Sequence, residues 1–332
     1  MKTLGTILLV VVLLLVVAIS FTIGWRPFFG PKARPLTDRK FTITPARLAR
    51  GKYLAETTGC FGCHSPHDWT QHGGPFIEGK LGSGGALDFA DLPGHIVAPN
   101  LTSDTETGAG AWTDDQFARA VREGIGHNGR ALFPMMPYEF YKSMSDEDIE
   151  SLVVFLHTLP PVKNKLPVTK LNFPVNYLIR NAPEPITSPI TSPDRSDPVK
   201  WGEYVVQTGA CEECHTPVVG HERSPELAFA GGGHLQGPWG NVSSANITPD
   251  ATGISYYDQA LFTQALQTGY VKARELNSIM PYREYKNFTA DDVKAIFAYL
   301  RTVKPIKHRV DNSLPPTDCK VCRGKHGGGD QN

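Results

Sequence analysis

The chain of 332 residues contains one pattern of residues twice, and this duplication restricts its possible folds more than any other feature. Residues 60–64 read Cys-x-x-Cys-His, and residues 211–215 repeat that spacing. Four further pairs of segments match in the same order: residues 51–54 with 202–205, 100–104 with 246–250, 117–124 with 262–269, and 136–161 with 280–305. Repetition over this length indicates a duplicated structural module, so we expect two similar domains in tandem.

The Cys-x-x-Cys-His motif is typical of covalent haem attachment. Two thiols at this spacing add to the vinyl groups of a haem, and the histidine that follows them ligates the iron. A zinc site or a redox dithiol is the alternative, but zinc needs four ligands, and neither motif is joined by a second Cys-x-x-Cys or a His pair at finger-like distance. The sequence therefore predicts two covalently bound haem c groups. Their residues are Cys60, Cys63 and His64 for haem 1, and Cys211, Cys214 and His215 for haem 2.

The repeat also predicts the sixth ligand of each iron. Met136 and Met280 occupy the same place in the two copies, each before Pro-Tyr, in a chain with only five methionines. A methionine is most often a flexible core residue, but its thioether is also an axial ligand in cytochromes and raises the reduction potential. Met135 competes for the first iron, yet the ungapped alignment favours Met136. We expect His64 with Met136 on one iron, His215 with Met280 on the other, and no catalytic residue.

Nine other histidines have no counterpart in the other copy, and we expect each to be a surface or packing residue. His127, which precedes the first methionine segment, is the alternative iron ligand to check. The nine are His67, His72, His95, His127, His157, His221, His234, His308 and His326.

Local signals predict the helices of each copy. Thr44 as cap and Pro45 at the first helical position begin one helix. Residues 113–124 and 258–269 indicate shorter helices, and the last helix of each copy starts at a capping sequence near residues 145 and 289 and ends before a proline. Gly51 and Gly202 each cost a helix about 0.8–1.0 kcal/mol relative to alanine. Their shared position predicts a close helix crossing.

These motifs resemble those of membrane-anchored class I cytochromes c that serve as subunits of periplasmic alcohol and gluconate dehydrogenases. The resemblance implies a mostly α fold with two tandem class I cytochrome c domains, long haem-wrapping loops and one N-terminal transmembrane helix. The expected boundaries are 1–25 for an anchor or signal, 26–43 for a stalk, 44–165 for domain 1, 166–197 for a Pro-rich linker, 198–307 for domain 2, and 308–332 for a disordered tail. The chain departs from those subunits, which look like three-haem proteins, because it has two complete motifs.

Cys319 and Cys322 form a third Cys-x-x-Cys, but Arg323 replaces the histidine and offers no lone pair to iron. We expect a disulfide or a degenerate terminal feature here. A metal site that uses His326 is a weaker alternative.

An apolar run from Leu4 to Ile23 is long enough to span a bilayer. A cleaved secretory signal is the alternative, but the run continues past the small residues near Ala18, which favours an uncleaved anchor. Basic residues after the run favour a cytoplasmic body. The resemblance implies that haem is attached outside the cytoplasm. We give this more weight than the basic residues, because long domains translocate largely regardless of flanking charge. We expect a single-pass protein of the bacterial inner membrane whose haem domains face the periplasm.

The zero net charge of the chain and its two predicted haems together indicate the class of function. The 33 basic and 33 acidic residues cancel, so no nucleic acid partner is indicated. The leading hypothesis is an electron-transfer protein without enzymatic activity, which relays single electrons between a membrane or periplasmic donor, such as a dehydrogenase or a quinol-oxidising complex, and a terminal acceptor. The alternative is a dihaem peroxidase, which needs an open distal position on one iron.

Overall fold

The computed structural model describes residues 2–87, 89–220 and 222–327, apart from the side chain of Lys2. The chain is mostly helical, as predicted. Helix α1 (Lys2–Phe21) is the one helix among the described residues that is long and apolar enough to cross a membrane. Its stretch Thr3–Phe21 has a mean hydropathy of 3.1, and none of it is buried inside the protein.

Residues 26–43, the predicted stalk, begin with the short helix α2 (Arg26–Phe29) and then lie along the first module. Arg34 forms ion pairs with Asp115 at 2.6 Å and with Glu123 at 2.8 Å. The Phe41 backbone N–H donates a 2.7 Å hydrogen bond to Asp114. The segment is therefore fastened to the first module, although most of its side chains are exposed.

Among its described residues, the first module contains five helices: α3 (Pro45–Thr57), α4 (Cys60–His64), α5 (Asp114–Glu123), α6 (Tyr138–Tyr141) and α7 (Asp146–Leu156). The predicted caps are confirmed, since Thr44 Oγ1 accepts from the Arg47 N–H and Ser145 Oγ accepts from the Asp148 N–H, both at 3.1 Å. The apolar faces of α3, α5 and α7 meet in one core. Its members include Leu54, Phe61, Phe117, Val121, Ile149, Leu152 and Leu156.

The Pro-rich segment between the modules folds back onto the first one. Its strand Lys170–Leu171 pairs antiparallel with Gly94–His95. Helix α8 (Val175–Leu178) and a 3-10 turn, Ile179–Asn181, follow. From this turn, Arg180 donates a hydrogen bond to the Pro27 carbonyl, and Asn181 donates one to the Ile23 carbonyl. The segment therefore connects the C-terminal end of α1 to the first module.

The described part of the second module contains five helices in the same order: α9 (Pro198–Thr208), α10 (Cys211–His215), α11 (Gln259–Thr268), α12 (Tyr282–Tyr285) and α13 (Ala290–Leu300). A 3-10 turn, Pro225–Leu227, lies between α10 and α11. The second core includes Trp201, Val206, Phe262, Leu266, Val293, Ile296 and Leu300. Each module thus has its own core, built from its first, third and last helices.

The first and last helices of each module cross at the predicted glycine. A Cβ built on Gly51 would overlap the backbone carbonyl oxygen of Ser151 in α7, and a Cβ on Gly202 would overlap that of Ala295 in α13. A side chain at either position would therefore separate the two helices. The prediction of a close helix crossing is confirmed in both modules.

Strands among the described residues form six short antiparallel pairs. One is the pair of Lys170–Leu171 with Gly94–His95 given above, and five others remain. They are Gly85–Ala86 with Val97–Ala98, Val218–Val219 with Glu222–Arg223, His234–Gly237 with Gly240–Ser243, Tyr270–Val271 with Arg274–Glu275, and Thr317–Asp318 with Lys325–His326. The last pair lies in the tail that was predicted to be disordered. Residues 317–326 form a hairpin, His308, Asn312, Cys322 and His326 are buried, and 328–332 lie outside the described residues.

Candidate haem-binding sites

Each Cys-x-x-Cys-His motif forms a single turn of helix after a residue in the left-handed conformation. Gly59, with φ of 79°, precedes α4, and Ala210, with φ of 52°, precedes α10. The turn brings both cysteines of a motif together and directs its histidine into the module. His64 and His215 are buried, with 6% and 8% of their surfaces exposed.

Both motif histidines are held by the same backbone interaction. His64 Nδ1 lies 2.8 Å from the carbonyl oxygen of Pro99, and His215 Nδ1 lies 2.7 Å from that of Ala245. A hydrogen bond from Nδ1–H to a carbonyl fixes the tautomer and leaves the lone pair of Nε2 for a metal. Burial also lowers the pKa of both imidazoles, which favours the neutral form that binds iron.

The loops that carry these carbonyl oxygens are fixed by matching asparagines. Asn100 Oδ1 accepts from the Thr102 N–H at 2.9 Å, and its Nδ2 donates to the Val162 carbonyl at 2.8 Å. Asn246 makes equivalent bonds to Thr248 and Ile306 at the same two distances. The repeated Asn-(Leu/Ile)-Thr segment therefore joins each proximal loop to the chain that leaves the last helix of its module.

A buried tyrosine hydroxyl bonds to the backbone just before each motif. These two tyrosines were not among the site residues predicted from the sequence. Tyr141 donates to the carbonyl of Thr58, and Tyr285 donates to the carbonyl of Gly209 at 2.9 Å. Burial raises the pKa of both phenols, so each hydroxyl remains a donor. Both tyrosines lie in the ungapped match of residues 136–161 with 280–305, and that match was the available signal.

The two predicted distal methionines occupy equivalent turns. The N–H of Tyr138 donates to the Met136 carbonyl at 2.7 Å, and that of Tyr282 donates to the Met280 carbonyl at 2.8 Å. Each methionine is half-buried and packs against the core of its own module. Among the described residues, the set packed on the first core includes Met136 and not Met135. The pairing of each methionine with its histidine on one iron stays a prediction.

The alternative ligand His127 is exposed and stacks on Trp112, with ring centroids 4.4 Å apart and planes inclined by 28°. An aromatic stacking contact thus accounts for its position.

The two motif helices lie at the contact between the modules. A Cβ on Gly62 of the first motif would be 3.5 Å from Oε1 of Glu284 in the second module. From the second motif, Glu213 pairs with Arg223 at 2.5 Å, and Arg223 lies 3.7 Å from Glu139 of the first module. In the free thiol, before any haem is attached, burial and the charges of Cys60, Glu284 and Glu213 raise the pKa of Cys63 to about 11. The two attachment motifs are therefore within electrostatic range of each other.

Glu213 has an unusual titration for a carboxyl group. Its side chain lies inside the second motif, where burial raises its pKa to about 6 even though the charge of Arg223 opposes this shift. A carboxyl group beside a haem attachment site can couple proton uptake to the redox state of the iron.

The donor set of each module fits a covalently bound haem. It consists of a pair of cysteines, a buried histidine with Nε2 available, and a thioether on the same core.

Comparison with known proteins supports this assignment. The sequence profile of the Cytochrome c family matches residues 48–160. The chain is 31% identical to the fructose dehydrogenase cytochrome subunit of Gluconobacter japonicus, over 82% of this chain and 56% of that protein. It is 29% identical to one of the nicotinate dehydrogenase subunits of Pseudomonas putida, over 91% of this chain and 25% of that protein. It is 28% identical to a diheme cytochrome c-type protein of Cereibacter sphaeroides, over 80% of this chain and 89% of that protein.

The chain thus spans from a quarter to about half of the length of these two dehydrogenase subunits. The profile match covers the first module, and a cytochrome c domain implies a covalently bound haem c. The first module therefore matches the cytochrome c family, and the chain as a whole is similar to the cytochrome c subunits of dehydrogenases.

Proposed function

We propose that this protein is a dihaem electron-transfer cytochrome, not an enzyme, with one haem c in each module. Cys60 and Cys63 attach the first haem, whose iron is ligated by His64 and Met136. Cys211 and Cys214 attach the second haem, with His215 and Met280 on its iron. The observation that carries the proposal is the matching Nδ1 hydrogen bond of both buried motif histidines, which leaves two Nε2 atoms available for metal.

A bound haem supplies an iron that gains and loses one electron. The surrounding residues set its potential and prevent other chemistry. Met136 and Met280 would hold the iron of each haem together with the motif histidine, and a thioether ligand would raise the reduction potential and leave peroxide no open coordination site. The carbonyls of Pro99 and Ala245 hold the motif imidazoles in one orientation. Little reorganisation is then needed when an electron arrives or leaves.

The contact between the modules supports transfer within the chain. The first motif faces α12 of the second module, and the second motif faces α6 of the first through Arg223. We infer that the two haems are attached close to this contact. An electron accepted by one module therefore reaches the other without diffusion of a second protein.

The apolar helix α1 supports a membrane location. We infer that it is a single-pass anchor in the bacterial inner membrane and that the haem modules face the periplasm. The contacts of Arg34 with α5 hold the first module close to the end of this helix. The anchor would keep the relay beside membrane-bound redox partners.

We infer that the electron donor is a dehydrogenase that oxidises a small organic molecule. The similar proteins are named as subunits of fructose, nicotinate, alcohol and gluconate dehydrogenases, and these names support the kind of partner without selecting a substrate.

The test is affinity purification of the full chain from detergent-solubilised membranes of its native host. We expect a dehydrogenase subunit to co-purify, and we expect fructose, nicotinate, ethanol or gluconate to reduce the haems of the complex. Purification of the chain alone, with haems that none of these substrates reduces, would contradict the proposed partner. Rapid turnover of peroxide by the reduced protein would contradict the proposed function itself.

A further inference from the structure

Four metal-binding side chains from the end of the chain meet at one point. They are His308, Cys319, Cys322 and His326, and one potential ligand atom from each lies within 4.8 Å of the others. His308 Nε2 lies 3.3 Å from Cys319 Sγ, and His326 Nε2 lies 3.0 Å from Cys322 Sγ. Ligand atoms of a tetrahedral zinc ion with two sulfurs and two nitrogens are about 3.3–3.8 Å apart, given the usual zinc–ligand bond lengths. The two nitrogen–sulfur pairs lie near this range and the widest separation is no more than 4.8 Å, so small side-chain adjustments would bring all four atoms onto one tetrahedral ion.

The hairpin of the C-terminal segment brings both cysteines to its tip. Its strands are Thr317–Asp318 and Lys325–His326, and the Cys319 N–H donates to the Gly324 carbonyl at 2.8 Å. The Val321 N–H points at Cys319 Sγ from 3.3 Å. A backbone N–H directed at sulfur stabilises the thiolate, which is the form that binds a metal.

The fourth ligand, His308, comes from the chain before the hairpin and is oriented by the second module. Its Nδ1 lies 2.8 Å from the Ala230 carbonyl, so its Nε2 is directed at Cys319. This is the arrangement seen in metal-binding histidines, whose second nitrogen is held by a carbonyl or carboxylate. Only 1% of the surface of His308 is exposed.

The second module closes the site from the other side. A Cβ built on Gly232, whose φ is 90°, would lie 2.7 Å from His326 Nε2 and 2.8 Å from the ring of His308. Cys322 and His326 are 2% and 6% exposed, and Cys319 is half-buried. A closed site with four protein ligands is typical of structural zinc, whereas catalytic zinc keeps a position for water.

The donor atoms of the cluster indicate which metal ion it would bind. Two sulfur and two imidazole ligands in a tetrahedral set are typical of Zn²⁺. Binding releases the two thiol protons, so two thiolates, two neutral imidazoles and the ion form a buried group without net charge. A disulfide between Cys319 and Cys322, which the sequence favoured, would leave both directed imidazoles without a function.

We propose that His308, Cys319, Cys322 and His326 bind a structural zinc ion that fixes the C-terminal segment to the second module. The site adjoins the proximal side of the second haem motif, because Gly231, between Ala230 and Gly232, donates to the His215 carbonyl at 2.7 Å. The proposal does not depend on electron transfer or on the number of haems.

The test uses the full-length protein, purified without chelators and without a metal-affinity tag. We expect elemental analysis to find one zinc per chain besides the haem iron. Zinc-edge X-ray absorption should show two sulfur ligands at about 2.3 Å and two nitrogen ligands at about 2.0–2.1 Å. A chain that contains no zinc and joins Cys319 to Cys322 in a disulfide, identified by peptide mass, would overturn the proposal.

Variants distinguish zinc bound at this site from zinc bound adventitiously elsewhere on the protein. Cys322→Ser and His326→Ala should each lower the zinc content at least tenfold and make the chain after residue 306 sensitive to proteolysis. His234→Ala, which changes an exposed histidine of the same module, should retain one zinc. Retained haem absorbance in each variant shows that the modules have folded. Zinc that remains in both Cys322→Ser and His326→Ala would contradict the assigned ligands, and the X-ray absorption result on the unchanged protein does not depend on the variants.

Discussion

The hydroxyl of Tyr204, in the second module, donates a 2.6 Å hydrogen bond to the carboxylate of Asp148 in the first. Tyr53, which occupies the position of Tyr204 in the repeat, makes the reciprocal hydrogen bond to Asp292, the counterpart of Asp148. The duplicated modules therefore pack with approximate twofold symmetry. The first helix of each module contacts the start of the last helix of the other.

These two bonds should stabilise the contact between the modules. A hydrogen bond to a charged group is worth about 1.5–3 kcal/mol, so Tyr204→Phe should lower the free energy of unfolding by that amount. The measurement is denaturant unfolding of the haem-containing protein. Tyr177→Phe, a change at a more exposed position, should shift the unfolding free energy by less than about 0.5 kcal/mol. Equal effects of the two changes would show that the Tyr204 bond contributes nothing.

The axial ligand of the first haem can be tested by replacing one of two adjacent methionines. Met136→His should give a bis-histidine iron and lower the potential of one haem by on the order of 0.1 V, within the ~0.8 V range that axial ligands cover. Met135→His, the matched control, should leave both potentials unchanged. Redox titration followed by absorbance measures both variants. A shift caused by Met135→His and not by Met136→His would reverse the assignment.

Glu213 predicts a pH-dependent potential for the second haem. Its pKa of about 6 means that it is protonated at pH 5 and ionised at pH 7. The carboxylate stabilises the more positive ferric state, so the potential of haem 2 should fall as the pH rises through 6. Glu213→Gln should abolish this fall, whereas Glu203→Gln, an exposed change in the same module, should preserve it. A slope that persists in Glu213→Gln would assign the effect to another group.

The close helix crossing in the second module should make Gly202→Ala destabilising, although alanine has the higher helix propensity. Alanine favours a helix over glycine by about 0.8–1.0 kcal/mol. Gly202→Ala should nevertheless destabilise the protein by about 1–3 kcal/mol, because its Cβ would overlap the backbone of α13. Gly85→Ala, where a Cβ would meet open space, serves as the control in thermal unfolding. An unchanged melting temperature for Gly202→Ala would show that the helices are free to separate.

Much of each module could be predicted because its signals are local or repeated. Capping residues such as Thr44 and Ser145 specify helix starts through bonds to neighbouring N–H groups, and the shared Gly51 and Gly202 indicated the crossings. The contact between the modules could not be predicted in this way. Its bond from Tyr53 to Asp292 joins residues far apart in sequence, and neither residue type indicates such a partner by itself.

The complete C-terminal ligand set was not predicted for a different reason. His308 and His326 lack a counterpart in the other module, so a metal site that uses His326 was only the weaker alternative, and the Gly-rich ending suggested disorder. Their spacing around Cys319 and Cys322 was the usable signal, because a His, a Cys-x-x-Cys and a second His in one short segment form a complete ligand set.

The central claim is that the chain carries two histidine–methionine haems that exchange single electrons. It is tested most directly by a potentiometric titration of the purified full-length protein, with absorbance and haem content referred to the polypeptide concentration. We expect two haems per chain, two reversible one-electron steps, and six-coordinate low-spin irons in both oxidation states at neutral pH. One haem per chain, or a high-spin iron that binds water or peroxide in the resting protein, would contradict this account.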